Sequence, residues 1–186
     1  MRRDASDIEM KPAHSLGFDD CYMRSVKGIT SAILLALMAA PAHAELPDKK
    51  VLTLDVAKKI AAAAEADAKR RSATVVIVVV DDGGYPLVLH RLDDTQVASV
   101  DVGIGKARTA AIFRRPSKVF EDQIRNGRVA ALALAGATPL QGGLPIVYQG
   151  KVIGAIGVSG NTPQEDEDIA RAGADSAQLA IDGGTR

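Results

Sequence analysis

The chain is poor in the residues that form disulfides, bind soft metals or stack on nucleic-acid bases. Its 186 residues include one cysteine, no tryptophan and only 3% aromatic residues. A single cysteine excludes an internal disulfide, and so few aromatic rings disfavour a base-stacking surface. The 23 Lys and Arg residues balance the 23 Asp and Glu residues, so no net positive charge attracts nucleic acid. No apolar run reaches the roughly 20 residues that a membrane-spanning helix needs.

The N-terminal segment has the order of features found in a secretory signal. Two basic residues precede an apolar run at 29–40, and a small-x-small cleavage pattern follows at 42–44. We therefore expect a signal peptide at 23–44, the alternative being a buried core helix. Residues 1–22 lie upstream of it, and we interpret them as an extension wrongly assigned to the protein, whose true start would be Met23. Export predicts a periplasmic or secreted protein whose mature chain begins at Glu45.

Residues 45–186 form the single predicted domain, and their composition restricts its chemistry. They contain no Cys or Met, and their only histidine is His90. These absences exclude a cysteine nucleophile and a thiolate metal site. They also exclude a three-histidine zinc site within one chain, and a Ser-His-Asp triad would have to use His90.

Local patterns predict helices alternating irregularly with strands. Six consecutive apolar residues at 75–80 are typical of a strand buried on both faces. Three glycines in the last predicted strand indicate a close backbone approach. Helices are predicted at 53–71, 96–115, 117–125 and 163–181, strands at 75–80, 85–92, 144–148 and 151–158, and either helix or loop at 129–135. Because strict strand–helix alternation is absent, we expect an α+β domain with a central antiparallel sheet.

Three segments carry a resemblance to a known family. They are VVDDGG at 79–84 leading to HRLD at 90–93, KARTAA at 106–111 leading to RRP at 114–116, and GGLPI at 142–146 through GAIGVSG at 154–160 to QEDE at 164–167. In content and order they resemble the GlcG/HbpS-like haem-binding family, which includes a domain appended to some cobalamin adenosyltransferases. The resemblance covers nearly all of residues 52–180.

The resemblance implies a fold, an assembly and a ligand. It implies a five-stranded antiparallel sheet flanked by helices, a profilin-like α+β architecture, and homo-oligomers that are often octamers. It also implies haem as the small-molecule ligand. Members often have Ala where Asp82 stands, and Arg-Met-Asp where this chain has Arg91-Leu92-Asp93. No axial-ligand motif carries over from the family.

Few side chains of residues 45–186 are suited to hold haem iron. His, Met, Cys and Tyr are the usual axial ligands, which leaves His90, Tyr85 and Tyr148. We predict His90 as the iron ligand with Arg91 beside it for a propionate; the alternative is a strand-end histidine bonded to a neighbour.

The remaining predicted cofactor-binding residues are Tyr148, Lys106 and Arg108. The two cations would meet propionates, but together with Arg114 and Arg115 they also fit a solvated helix face. The acidic run at 165–168 suits either a hard cation or the positive end of a helix dipole. The glycines at 154, 157 and 160 do not have the spacing of a dinucleotide fingerprint.

We expect an exported, homo-oligomeric haem-binding protein for haem capture, buffering or sensing. One alternative is an enzyme that acts on a small hydroxy or keto acid, with Lys106, Arg108 and Arg91 anchoring the carboxylate. Another is a non-catalytic scaffold or sensor module. Neither nucleic acid nor a membrane span is expected for the mature form.

Overall fold

The computed structural model describes residues 46–182, so the predicted extension at 1–22 and signal peptide at 23–44 lie outside the described residues. The helices are α1 (Leu54–Arg70), α2 (Ser99–Ile112), α3 (Lys118–Arg125) and α4 (Pro163–Asp182), with a short 3-10 helix at Val129–Ala133. The strands are β1 (Val76–Asp81), β2 (Pro86–Arg91), β3 (Gly143–Tyr148) and β4 (Lys151–Ser159). None of these helices combines the length and apolar character needed to cross a bilayer.

The strands form one antiparallel sheet in the order β2-β1-β4-β3. Two hairpins, β1–β2 and β3–β4, are joined because β1 also pairs with β4. The α+β fold with an antiparallel sheet is therefore confirmed, but the five strands implied by the family resemblance are wrong for residues 46–182. All four strands predicted from local patterns are present, and the ambiguous segment at 129–135 contains a 3-10 helix that adds no strand.

Helices cover both faces of β1, which explains its unbroken apolar run. Ile77 and Val79 belong to the core cluster that α1 and α4 share with the sheet. Val76, Val78 and Val80 alternate to the other face, where they meet α2. Every residue from Val75 to Val80 is completely buried. Each such side chain contributes about 1.5–3 kcal/mol of hydrophobic free energy, so this strand anchors the domain.

The glycines of β4 let helix α2 approach the sheet closely, as predicted. A Cβ placed on Gly157 would lie 2.9 Å from the Cβ of Ala107 and would also collide with the carbonyl oxygen of Gly103. Real Cβ atoms do not approach other atoms so closely, because interiors are packed at crystal-like density. A side chain at position 157 would therefore push α2 away from the sheet.

Capping residues fix where the helices begin. Thr53 accepts a hydrogen bond from the Val56 N–H at the start of α1. At the start of α4, Thr162 Oγ1 accepts from the Glu165 N–H, and Glu165 Oε2 accepts from the Thr162 N–H. This reciprocal pair is the predicted capping box. Helix α2 is shorter than predicted, since it begins at Ser99 with no side-chain cap and Arg114 adopts a positive φ of 55° beyond its end.

Candidate functional site

The imidazole of His90 is held by a carboxylate from helix α1. Its Nδ1 lies 2.7 Å from Glu65 Oε2, and the side chain is 35% exposed. His90 pairs with Ile77 in the sheet, so its side chain leaves β2 on the face covered by α1. The histidine is thus bonded to a neighbour while part of its ring still meets solvent.

Glu65 is poised to remain ionised and to orient the ring. A hydrogen bond from Lys69 lowers the pKa of the Glu65 carboxyl, burial opposes this shift, and the hydrogen bond with His90 lowers the pKa further. Lys69 Nζ donates to Glu65 Oε1 at 2.6 Å. An ionised carboxylate accepts a hydrogen bond from Nδ1–H, and a neutral ring held in this way is the tautomer whose Nε2 carries the lone pair. Metal-binding histidines commonly have such a carboxylate partner.

An open cleft of about 480 Å³ is lined by Glu65, the partner of His90, whereas His90 itself is not among its lining residues. Glu65, Lys69 and Arg91 line it together with Leu92 and Asp93. Its volume falls within the roughly 300–1,000 Å³ of small-molecule sites. His90 and Arg91 are consecutive in β2 and leave the strand on opposite faces, yet Arg91 reaches this cleft at the strand end. Its Nη2 donates to the carbonyl oxygen of Thr95.

Tyr148 lies elsewhere, at the other end of α1. It lines a cavity of about 230 Å³ together with Leu52, Val56 and Ile153. Val56 and Glu65 are nine positions apart in α1, which corresponds to about 14 Å along a helix axis at about 1.5 Å per residue. Tyr148 and His90 are therefore too far apart to meet one bound ligand atom.

Arg108 packs in a third place. Its guanidinium carbon lies 5.7 Å from the centre of the Tyr85 ring, within the range of a cation–π contact. Both residues are exposed. Arg114 and Arg115 are exposed as well, so the interpretation of these arginines as a solvated helix face agrees with the structure.

Lys106 departs from both of its predicted roles because it is buried. Its side chain is 5% exposed and its Nζ lies 2.8 Å from Asp166 Oδ2, whose side chain is 3% exposed. Lys106 Nζ also donates to the Val158 carbonyl oxygen at 3.0 Å. The ammonium is therefore neither on a solvated face nor free to meet a propionate.

Asp166 was expected either to interact with the positive end of the α4 helix dipole or to bind a hard cation. In the structure it is the counter-ion of Lys106. Burial raises the pKa of the Asp166 carboxyl, and the hydrogen bond with Lys106 opposes that shift. Asp166 Oδ1 additionally accepts the N–H of Asn161 at 3.0 Å. Nothing in the acidic run distinguishes Asp166 from its neighbours, since its partner lies 60 positions away in α2.

The structure brings together only part of the predicted site. His90 and Arg91 lie at the same end of β2, whereas Lys106, Arg108 and Tyr148 have separate surroundings. The three cations proposed to anchor a substrate carboxylate do not converge. Glu65 and Lys69 were missed as site residues because their i,i+4 spacing is equally typical of a solvated pair. Residues 46–182 contain no group of three or more His, Cys, Asp or Glu that could hold a metal ion.

Comparisons with known proteins agree on one family. Residues 52–175 match the model of a family described as haem degrading protein HbpS-like. Protein GlcG of Escherichia coli K12 is 41% identical over 111 residues, which is 60% of this chain and 83% of that protein. A double mutant of Streptomyces reticuli HbpS has a similar structure, with a TM-score of 0.64, 33% identity and coverage of 74% of this chain and 96% of that chain. Klebsiella pneumoniae protein ORFY has a TM-score of 0.66 and 31% identity, over 73% of this chain and 97% of that chain.

Proposed function

The chain belongs to the HbpS-like family, and from this membership we propose that it binds haem through His90. The observation that carries the proposal is the 2.7 Å contact between His90 Nδ1 and Glu65. It leaves Nε2 as a basic nitrogen on a partly exposed ring. Within residues 46–182 no other His, Cys or Met is available.

The donor set suits a haem better than a free metal ion. A single imidazole is a weak site for a bare cation, and the described residues offer no cluster of three metal-ligating side chains. Haem needs only one axial side chain because the porphyrin supplies the other nitrogens. When bound, it would supply a redox-active iron.

The cleft beside Glu65 offers cations for the haem propionates. Lys69 and Arg91 both line it, and both side chains are solvent-exposed. Charge-assisted hydrogen bonds to carboxylates favour such residues. Glu65 contacts both the proposed iron ligand and one of these cations, since one of its oxygens bonds to His90 and the other to Lys69.

We further propose an exported homo-oligomer that captures, buffers or senses haem. The signal-like pattern at 23–44 supports export to the periplasm or the medium. Exposed large apolar residues support self-association, since Val97, Leu132 and Val129 are 71%, 66% and 64% exposed. Such residues also suit the alternative of a scaffold or sensor module, and the mass of the purified protein in solution tests the assembly.

Haemin titration of the purified protein tests the role of His90. We expect the wild type to develop a Soret band, and His90→Ala to shift that band and weaken haemin binding at least about tenfold, which corresponds to about 1.4 kcal/mol. Tyr148→Phe is the matched control, since its cavity lies at the other end of α1, and it should leave the spectrum unchanged. An identical Soret band in the wild type and His90→Ala would refute the proposed ligand.

A further inference from the structure

The exposed face of α2 carries a stripe of residues with opposite charges toward its two ends. The stripe consists of Val97, Asp101, Arg108 and Ile112, which are all exposed. Val97 lies one turn before the helix, because its carbonyl oxygen accepts the Val100 N–H. Residues four and seven positions apart lie on the same side of a helix, so these four side chains form one surface, which we call the α2 stripe.

The α2 stripe is not covered or neutralised by the rest of the described chain. Its apolar ends are Val97, which is 71% exposed, and Ile112, which is 36% exposed. Neither Asp101 nor Arg108 has a salt bridge within residues 46–182. The two charges lie seven positions apart, which corresponds to about 10 Å along the helix axis, and they do not pair with each other.

The order of residues in the α2 stripe makes it complementary to itself. Asp101 and Arg108 are equally distant from the midpoint between residues 104 and 105, and so are Val97 and Ile112. When two α2 helices pack antiparallel about a twofold axis through this midpoint, Asp101 of each copy faces Arg108 of the other. Val97 of each copy then faces Ile112 of the other. Because the axis makes every contact twice, one such interface contains two ion pairs and two apolar pairs.

The charges select this antiparallel orientation over the parallel one. In a parallel pair, Asp101 would face Asp101 and Arg108 would face Arg108, and like charges that meet at an interface repel. The guanidinium of Arg108 is already held in place, since its carbon lies 5.7 Å from the centre of the Tyr85 ring. Stacking uses the face of the guanidinium and leaves its edge N–H groups free to donate to a carboxylate. Tyrosine and arginine are also enriched at protein interfaces.

We propose that α2 packs antiparallel against α2 of a second copy of this chain, in the register that pairs Asp101 with Arg108 and Val97 with Ile112. The partner is a second copy because the charges and the apolar ends both match the same surface after a half turn. This inference rests on the homo-oligomer proposed above and assigns one of its interfaces. It does not involve His90.

Analytical ultracentrifugation of charge-reversal variants of the purified protein tests this interface. Arg108→Glu places a carboxylate opposite Asp101 of the other copy, and Asp101→Arg places a guanidinium opposite Arg108. We expect the wild type to self-associate and each single reversal to weaken self-association at least about tenfold, which corresponds to about 1.4 kcal/mol. The double variant with both reversals again has opposite charges facing each other, so it should associate within about threefold of the wild type.

Lys58→Glu is the matched control, since it makes the same change of charge at an exposed residue of α1, and it should associate as the wild type does. Circular dichroism checks that each variant is folded. A monomeric wild type would overturn this interface together with the proposed homo-oligomer. If the wild type associates, three results would overturn the interface alone: unchanged association in the single reversals, an equal loss in Lys58→Glu, or no recovery in the double variant. Because none of these readouts involves haem, they are separate from the test of His90.

Discussion

Replacing Asp166 with Asn tests whether the buried ion pair with Lys106 holds the domain together. The substitution keeps the shape of the side chain and removes its charge, so the Lys106 ammonium, whose side chain is 5% exposed, loses its counter-ion. Breaking a buried pair from one side costs about 3–5 kcal/mol. Domains have about 5–15 kcal/mol of unfolding free energy in all, so Asp166→Asn should remove a large share of the stability.

The opposite substitution, Lys106→Met, should cost less at low pH than at high pH. Without Lys106, the largest influence opposing burial is lost and only the backbone hydrogen bonds from Asn161 and Gly160 still oppose it, so the pKa of the Asp166 carboxyl rises further. The folded protein then binds a proton at pH values where the unfolded chain has released it, so stability is retained at low pH and lost as pH rises toward the folded-state pKa. Asp166→Asn removes this titration because its amide cannot ionise.

Urea denaturation followed by circular dichroism, at about pH 4 and about pH 8, measures both effects. Asp168→Asn is the matched control on the same helix, since the Asp168 side chain is 35% exposed and its ion pair with Arg71 spans 3.4 Å. It should change the free energy of unfolding by less than about 1 kcal/mol. If Asp166→Asn were as mild as Asp168→Asn, the reasoning about the buried pair would be refuted.

Three further substitutions have expected outcomes that denaturation can measure. Gly157→Ala should destabilise by about 1–3 kcal/mol or more, because its Cβ would collide with Ala107 in an already filled interior; a neutral result would contradict the close approach of α2. Ser99→Ala should raise the free energy of unfolding by up to about 1 kcal/mol, because it removes a buried hydroxyl without a partner; a clear loss would show that the hydroxyl is bonded. Glu65→Gln should flatten the acid limb of stability, because the lowered pKa of Glu65 gives stability above its unfolded pKa that is lost as pH falls; an unchanged pH profile would contradict this.

Local features were predictable because their causes are local. The strand at β1 follows from consecutive β-branched residues, and the start of α4 follows from Thr162 and Glu165, which bond to each other three positions apart. The glycines of β4 were correctly interpreted as a sign of close approach. The end of α2 was placed too late, since a positive φ at Arg114 has no signal in the sequence.

The candidate site was only partly predictable. His90 stood out because it is the only histidine of residues 45–186. Its partner Glu65 lies 25 positions away, on a helix whose charged pairs look the same whether or not a strand packs beside them. Lys106 was wrongly predicted to be accessible, because cations on a helix are usually solvated. Its burial results from the packing of α2 against β4.

The sequence by itself determined which reactive side chains this domain has available and where most of its helices and strands begin. Composition and short-range hydrogen bonds determine these features, because neither depends on contacts between distant parts of the chain. The tertiary structure decided which of those side chains meet. It paired His90 with Glu65 and Lys106 with Asp166, and it kept Tyr148 and Arg108 apart from both. The physical reason is that the pairing of β1 with β4 and the docking of helices on both faces of the sheet are cooperative, long-range events whose partners no local spacing records.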